Sequence, residues 1–407
     1  MNTMPLAQLI NGAQWLNTRT LWLLGVVLVL LAVAYGVGVI LKRQPESNIN
    51  PALLRTFNLR VRAWWMMYAI LLVFFLLGYT MTVVLFGLVS FWALREFITM
   101  TPTRRADHRA LFWVLIVFTP LQYLLVGLGR SFVDPGPNTW TEWVARGISL
   151  RGVDFYGLYS IMIPVYCSLF IPARIAMSGD YKRFLERSAK IQAGLLVCVY
   201  SLSHAPALLQ LELLTWKPAP AAVAAASAEP DPSPPSEESA AAPSTEPTAT
   251  PVSDASPSSS PGTGRRPWHE GAQVGLLFYF ILIVQTGDVF QYIWGKAFGR
   301  RPIAPEISTS RTWEGFFGGV ATTTVLGAML WWVTPFRIWE AALMSLVTAI
   351  MGFAGGMTMS AIKRDRGVTD TGTLVQGHAG VLDRIDSICF SAPVFFHLTR
   401  FYFSDLS

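Results

Sequence analysis

Residues 341–403 read AALMSLVTAIMGFAGGMTMSAI (341–362), KRDRGVTDTGTLVQGHAGVLDRID (363–386) and SICFSAPVFFHLTRFYF (387–403). The first run is apolar and meets the ~20 residues a helix needs to cross a bilayer. The last is a weaker candidate of the same kind, with Arg400 near its end. Between them lie four basic side chains, four aspartates, a histidine and several glycines. Ionisable groups set against a membrane are costly unless wet or paired, so such a cluster reads as a working site. Its chemistry suits phosphate groups handled with a hard metal ion.

Apolar runs recur along the rest of the chain, at 20–41, 110–129, 155–173, 191–211, 271–295 and 315–336. Residues 63–94 are too long for one span and suit two helices turning near Gly78-Tyr79-Thr80. The 407 residues are 52% hydrophobic and only 14% charged, where a soluble domain carries about 25% charged residues. The expectation is an all-α polytopic membrane protein with about ten transmembrane helices. With Met1 outside, 22 of the 31 Lys and Arg fall in the loops 42–62, 95–109, 174–190, 296–311 and 363–384. That excess sets those loops in the cytoplasm, so the net charge of +6 does not point to nucleic acid. The basic start of a cleavable signal peptide is missing from residues 1–19, and the first run is long enough to stay as a span. Cys167, Cys198 and Cys389 lie in apolar runs at no metal-like spacing and read as small core residues.

Residues 218–264 are Pro-, Ala-, Ser- and Thr-rich, with six acids and no aromatic residue, Lys or Arg. Such a segment cannot bury enough apolar surface to order itself. The expected organisation is an N-terminal six-helix part (1–217), a linker outside the membrane (218–267) and a C-terminal four-helix part (268–407). Gly315-(x)3-Gly319 and Gly352-(x)3-Gly356 read as close helix contacts through small residues. Gly367 and Gly372 fit a phosphate-cradling loop better.

Three clusters carry chemistry. Asp288 and Tyr292 share a helix face that Lys296 continues, so Asp288 meets either a metal or a lysine. Ser308, Ser310, Arg311 and Thr312 precede a span and either present donors to a phosphate at a helix N-terminus or simply cap it, with Trp313 as an interfacial anchor. Asp383 and Asp386, three apart, and Asp370 can supply oxygen ligands to Mg2+, which takes a few carboxylates plus substrate phosphates and waters. Lys363, Arg364, Arg366 and Arg384 can neutralise the remaining phosphate charge. His378, between Gly377 and Gly380, suits substrate contact or structure better than magnesium ligation.

Ser360, Lys363, Arg364, Asp370, His378, Gly380, Asp383, Arg384 and Asp386 stand in register with the signature of the phosphatidate cytidylyltransferases, or CDP-diacylglycerol synthases. The chain resembles that family over roughly 270–400. Asp288, Tyr292, Gly295 and Gly299, then Thr312-Trp313-Glu314-Gly315, resemble its second block, and Ala-Leu-Arg-Glu96 is a looser likeness upstream. Thr369 stands where the family has a lysine, Ala379 where it has the second glycine after the histidine, Gln376 where it has a proline or small residue, and Arg311 in place of a lysine.

The resemblance implies that CTP and phosphatidate are converted to CDP-diacylglycerol and pyrophosphate at the cytoplasmic face of a bacterial inner membrane. It implies Asp370, Asp383, Asp386 and Asp288 around Mg2+. Lys363, Arg364, Arg311 and Arg384 would hold phosphates, with Ser308, Thr312, Ser360 and His378 contacting substrate. A homodimer is a further implication. Rival readings are a CTP-dependent polyprenol kinase, a relative that binds lipid without catalysis, and a transporter. The gathering of charge in one patch argues against the last.

Overall fold

A computed structural model describes residues 18–42, 51–101, 104–133, 155–211, 213–216, 265–267, 272–368 and 380–404. Among these residues the fold is built from helices. They are α1 (Thr18–Lys42), α2 (Pro51–Leu77), α3 (Tyr79–Met100), α4 (108–133), α5 (155–176), α6 (184–207), α7 (Ala272–Phe298), α8 (Trp313–Met329), α9 (Ile338–Asp365) and α10 (Leu382–Phe403). The linker of 218–264 lies outside the described residues, as do Thr369, Asp370, Gly372, Gln376, Gly377, His378 and Ala379.

The long run of 63–94 breaks where the sequence suggests. Gly78 takes φ 103° between α2 and α3, a left-handed conformation that costs glycine little. Thr82 donates its hydroxyl to the Phe74 and Gly78 carbonyls at 3.2 and 3.0 Å, and the Phe74 carbonyl is one that the break leaves without its helical donor. Helices α4, α5 and α6 each widen into a π turn, at Trp113–Phe118, Met162–Cys167 and Leu196–Ser201.

Six helices are long and apolar enough to cross a membrane: α3, α4, α5, α6, α7 and α9. The apolar parts of α1 and α2, Thr18–Val33 and Trp64–Leu76, are shorter, and α8 has only 17 residues. Length and apolarity therefore establish six spans among the described residues, and with them a multi-pass membrane protein.

Contacts sort the helix ends into two sets. At one end, Glu96 meets the start of α10, Arg364 donates to the Ile307 carbonyl at 3.1 Å, and Arg187 binds Asp107. At the other, Arg19 donates to Trp332 O at 3.2 Å, Gln273 to Leu211 O at 3.3 Å, and Tyr79 to Val126 O at 2.8 Å. Leu213 bridges Ser404 at that same far end. Successive helices thus run in alternating directions. Two short antiparallel ladders join the helices, β1 (Leu214–Trp216) with β2 (Arg265–Pro267) and β3 (Pro302–Ala304) with β4 (Ser308–Thr312). The first brings the flanks of segment 217–264 together. The three cysteines are buried and free.

The C-terminal helices pack tightly. A Cβ on Gly315 would lie 2.8 Å from the Gln291 carbonyl oxygen, and one on Gly319 would lie 2.7 Å from the Gln291 Cα. This is the small-residue contact expected of Gly315-(x)3-Gly319. A Cβ on Gly352 would find its neighbours at ordinary distance, while one on Gly355 would lie 2.7 Å from the Asp386 carbonyl oxygen. The tight contact between α9 and α10 thus runs through Gly355, while Gly356 meets the Arg311 side chain.

A charged candidate site where five segments meet

The site is assembled at one end of the helices from five segments: the last turn of α9, the first turns of α10, the hairpin before α8, the middle of α7 and the end of α3. Lys363, on the last turn of α9, donates to Asp383 on the first turn of α10 at 2.7 Å. The pair is largely buried, with 17% and 6% of the two side chains exposed. Charge-assisted bonds of this length are the stronger ones.

One turn deeper, Asp386 on α10 and Asp288 on α7 lie within electrostatic reach of each other and of Arg311. The Ser387 hydroxyl lies within reach of Asp288 and stands 3.4 Å from Asp386 Oδ1. Arg311 leaves the end of β4 and lays its guanidinium on α9. Its Cζ is 5.4 Å from the Phe353 ring centre and would be 2.9 Å from a Cβ on Gly356. Only a glycine lets the guanidinium lie so close to that backbone. Gln285 of α7 donates to the Arg384 carbonyl at 2.9 Å, a second tie between α7 and α10.

The hairpin fixes the remaining donors. Ser308 and Ser310 share a hydrogen bond at 3.1 Å on the exposed edge of β4. Thr312 is the N-cap of α8 and accepts from the Gly315 amide at 3.1 Å, so its local role is the capping one. The Glu314 carboxylate accepts from the Arg300 and Arg301 amides at 3.1 and 3.2 Å. Its own amide and those two hold its carboxyl below the usual carboxylate range, against desolvation. The exposed Trp313 stacks on Phe317 at 5.8 Å. Ser360 donates to the Gly356 carbonyl at 2.7 Å, inside its own helix.

Of the residues singled out from sequence, the structure brings Lys363 to Asp383 and gathers Asp288, Asp386 and Arg311. Asp370 and His378 lie outside the described residues. No ion pair joins Asp288 to Lys296 among the described residues, and Tyr292 and Lys296 are exposed. Nor, among the described residues, do three or more His, Cys, Asp or Glu side chains converge as metal ligands.

Sequence reasoning missed Glu96 as part of this region. Its carboxylate accepts from the Val381 and Leu382 amides at 3.1 and 2.9 Å. Ala-Leu-Arg-Glu96 stood only as a loose likeness upstream, with no role attached to its carboxylate.

An all-helical, multi-pass membrane protein with one charged end is the class that fold and site define. The chain belongs to the cytidylyltransferase family, which it matches over residues 58–402. It is 30% identical over 351 residues to the uncharacterized protein YnbB of Escherichia coli K12, covering 84% of this chain and 87% of that one. It is 37% identical over 134 residues to the phosphatidate cytidylyltransferase of Haemophilus influenzae, and 39% over 124 residues to that of Pseudomonas aeruginosa. Those matches cover 31% and 30% of this chain, and the chain spans 46% of the length of each enzyme.

Proposed function

We propose that this protein is a CTP:phosphatidate cytidylyltransferase, forming CDP-diacylglycerol and pyrophosphate for phospholipid synthesis. The observation that carries the reading is the meeting of the Lys363–Asp383 pair with the Asp288, Asp386 and Arg311 cluster, in a chain of the cytidylyltransferase family.

The donor set fits Mg2+. Two carboxylates face one guanidinium, which leaves surplus negative charge on oxygen ligands. Magnesium commonly takes one or two carboxylates and completes its shell with water and substrate phosphate. Asp288 and Asp386 would hold the ion, with Asp370 and Asp383 as the further acids. Bound there, it would neutralise triphosphate charge and stabilise the charge that develops on transfer.

The chain's own residues do the rest. Arg311, Lys363, Arg364 and Arg384 hold phosphate oxygens, with Ser308, Thr312, Ser360 and His378 as hydrogen-bonding contacts. A phosphate oxygen of phosphatidate attacks the α-phosphorus of CTP, the bond to the bridging oxygen breaks, and pyrophosphate leaves. The lipid phosphate is already ionised, so no strong base is needed. Catalysis is then mainly positioning and charge neutralisation.

Orientation follows from charge. The Lys and Arg of 95–109, 174–190, 296–311 and 363–384 gather at the site end, while Arg19, Arg337 and Arg400 lie toward the other. By the positive-inside rule the site faces the cytoplasm, and the proposal takes all ten helices as spans, with segment 218–264 outside. Placement in a bacterial inner membrane and assembly as a homodimer belong to the same proposal.

Purified protein in detergent, given CTP, phosphatidate and Mg2+, should form CDP-diacylglycerol, and the Asp370→Asn variant should not. Full turnover by that variant would remove Asp370 from the site. Absence of product from the unaltered protein, with CTP still bound, would point to another lipid acceptor.

A further inference from the structure

Glu96 sits near the end of α3, 286 residues before its hydrogen-bonding partner Leu382. It is 6% exposed. Its two carboxylate oxygens divide their bonds, Oε1 accepting from the Val381 amide and Oε2 from the Leu382 amide. Val381 is the N-cap of α10 and Leu382 its first residue, and the helix itself leaves these amides without partners. A carboxylate there is also favoured by the helix dipole.

Two consequences follow. The Val381 and Leu382 amides at the positive end of α10 are already taken by a protein carboxylate. The same bonds set the axial position of the turn that carries Asp383, and of the next, which carries Asp386. Asp383 must meet Lys363 of α9 at 2.7 Å, and Asp386 must face Asp288 of α7. A shift of α10 disturbs both at once.

Resting on the cytidylyltransferase reading above, we infer that Glu96 is a positioning residue for the site. Through the α10 N-terminus it holds Asp383 and Asp386 in register with Lys363 and Asp288, so the N-terminal helices are part of the active centre. It touches neither substrate nor the reacting atoms. Its role resembles that of outer-shell partners of metal ligands, whose loss costs about 10- to 100-fold in affinity or activity.

The experiment compares full-length protein with Glu96→Gln and Glu96→Asp by hydrogen exchange of the segment 380–390, with and without Mg2+, and by CDP-diacylglycerol formation against Mg2+ concentration. Glu96→Gln keeps the shape but presents one amide NH2 to a backbone donor. Faster exchange confined to 380–390 is expected, together with a Mg2+ requirement raised about 10-fold. CTP KM should change little, and Glu96→Asp should recover part of the loss. Unchanged exchange at 380–390 would remove the cap. Faster exchange with unaltered Mg2+ dependence, or a loss that merely tracks the folded fraction, would make Glu96 structural only and overturn the inference. If the unaltered protein makes no CDP-diacylglycerol, Mg2+-induced protection of 380–390 that disappears in Glu96→Gln upholds the positioning role while the substrate reading falls. Equal Mg2+ response in both proteins overturns the positioning role as well.

Discussion

Lys363 and Asp383 stand 20 residues apart in the chain and 2.7 Å apart in space, closing the two ends of the signature segment on each other. Removing one partner of a buried pair strands the other. Lys363→Ala should therefore cost about 3 kcal/mol of stability. The double variant Lys363→Met/Asp383→Leu should recover most of that, since apolar replacements of a buried pair are often neutral, yet remain inactive. Thermal unfolding of both in detergent beside the product assay separates the two effects. A double variant with turnover would free the pair from catalysis.

Arg311 is set by Gly356. Arg311→Lys keeps the charge and loses the planar fork that lies on Phe353 and α9, and the two side chains are not equivalent at such a place. Activity should fall about 100-fold, the scale of one lost transition-state donor, with little change in unfolding temperature. Gly356→Ala, which displaces the guanidinium from the other side, should reproduce the kinetic defect. Two variants with unaltered kcat would place Arg311 outside the chemistry.

The α7–α8 contact sets where Asp288 stands. Gly319→Ala puts a methyl group against the Gln291 backbone, and overpacking of this kind costs about 1–3 kcal/mol. A rise in the Mg2+ needed for half-maximal rate should accompany it. Gly25→Ala, at a position with open space around it, is the comparison and should change neither quantity.

A buried network that includes none of Asp288, Asp383 and Asp386 supplies the contrast. Arg187 donates through Nε to both Asp107 oxygens at 2.9 and 3.0 Å and through Nη1 to the Asp180 and Lys182 carbonyls at 3.0 Å each. Arg187→Leu should destabilise the protein by about 3–5 kcal/mol while KM for CTP in the folded fraction stays unchanged. A selective rise in that KM would bring this network into the nucleotide site.

The sequence foretold what local chemistry determines. The break at Gly78 was legible because a 32-residue apolar run exceeds one span and glycine marks its middle. The Lys363 and Asp383 cluster was legible because charge beside a membrane is expensive. The β3–β4 hairpin was not, because Ser308–Thr312 is short and polar and carries no apolar alternation. Glu96 was overlooked for a different reason: its two bonds cross 285 and 286 residues of sequence, and no local pattern encodes them. Spacing named Gly352 and Gly356 as the tight pair on α9, whereas the backbone of α10 presses on Gly355 and Arg311 on Gly356. Only the helix crossing determines that.

Which phosphorus of CTP is attacked decides the reaction. Phosphatidate, Mg2+ and purified protein should be supplied in parallel with CTP labelled at the α-phosphorus and with CTP labelled at the γ-phosphorus, and the lipid fraction counted. Cytidylyl transfer predicts α label in the lipid and γ label released as pyrophosphate. Label reaching the lipid from the γ position, with CDP left in solution, would contradict it and make the protein a CTP-dependent lipid kinase.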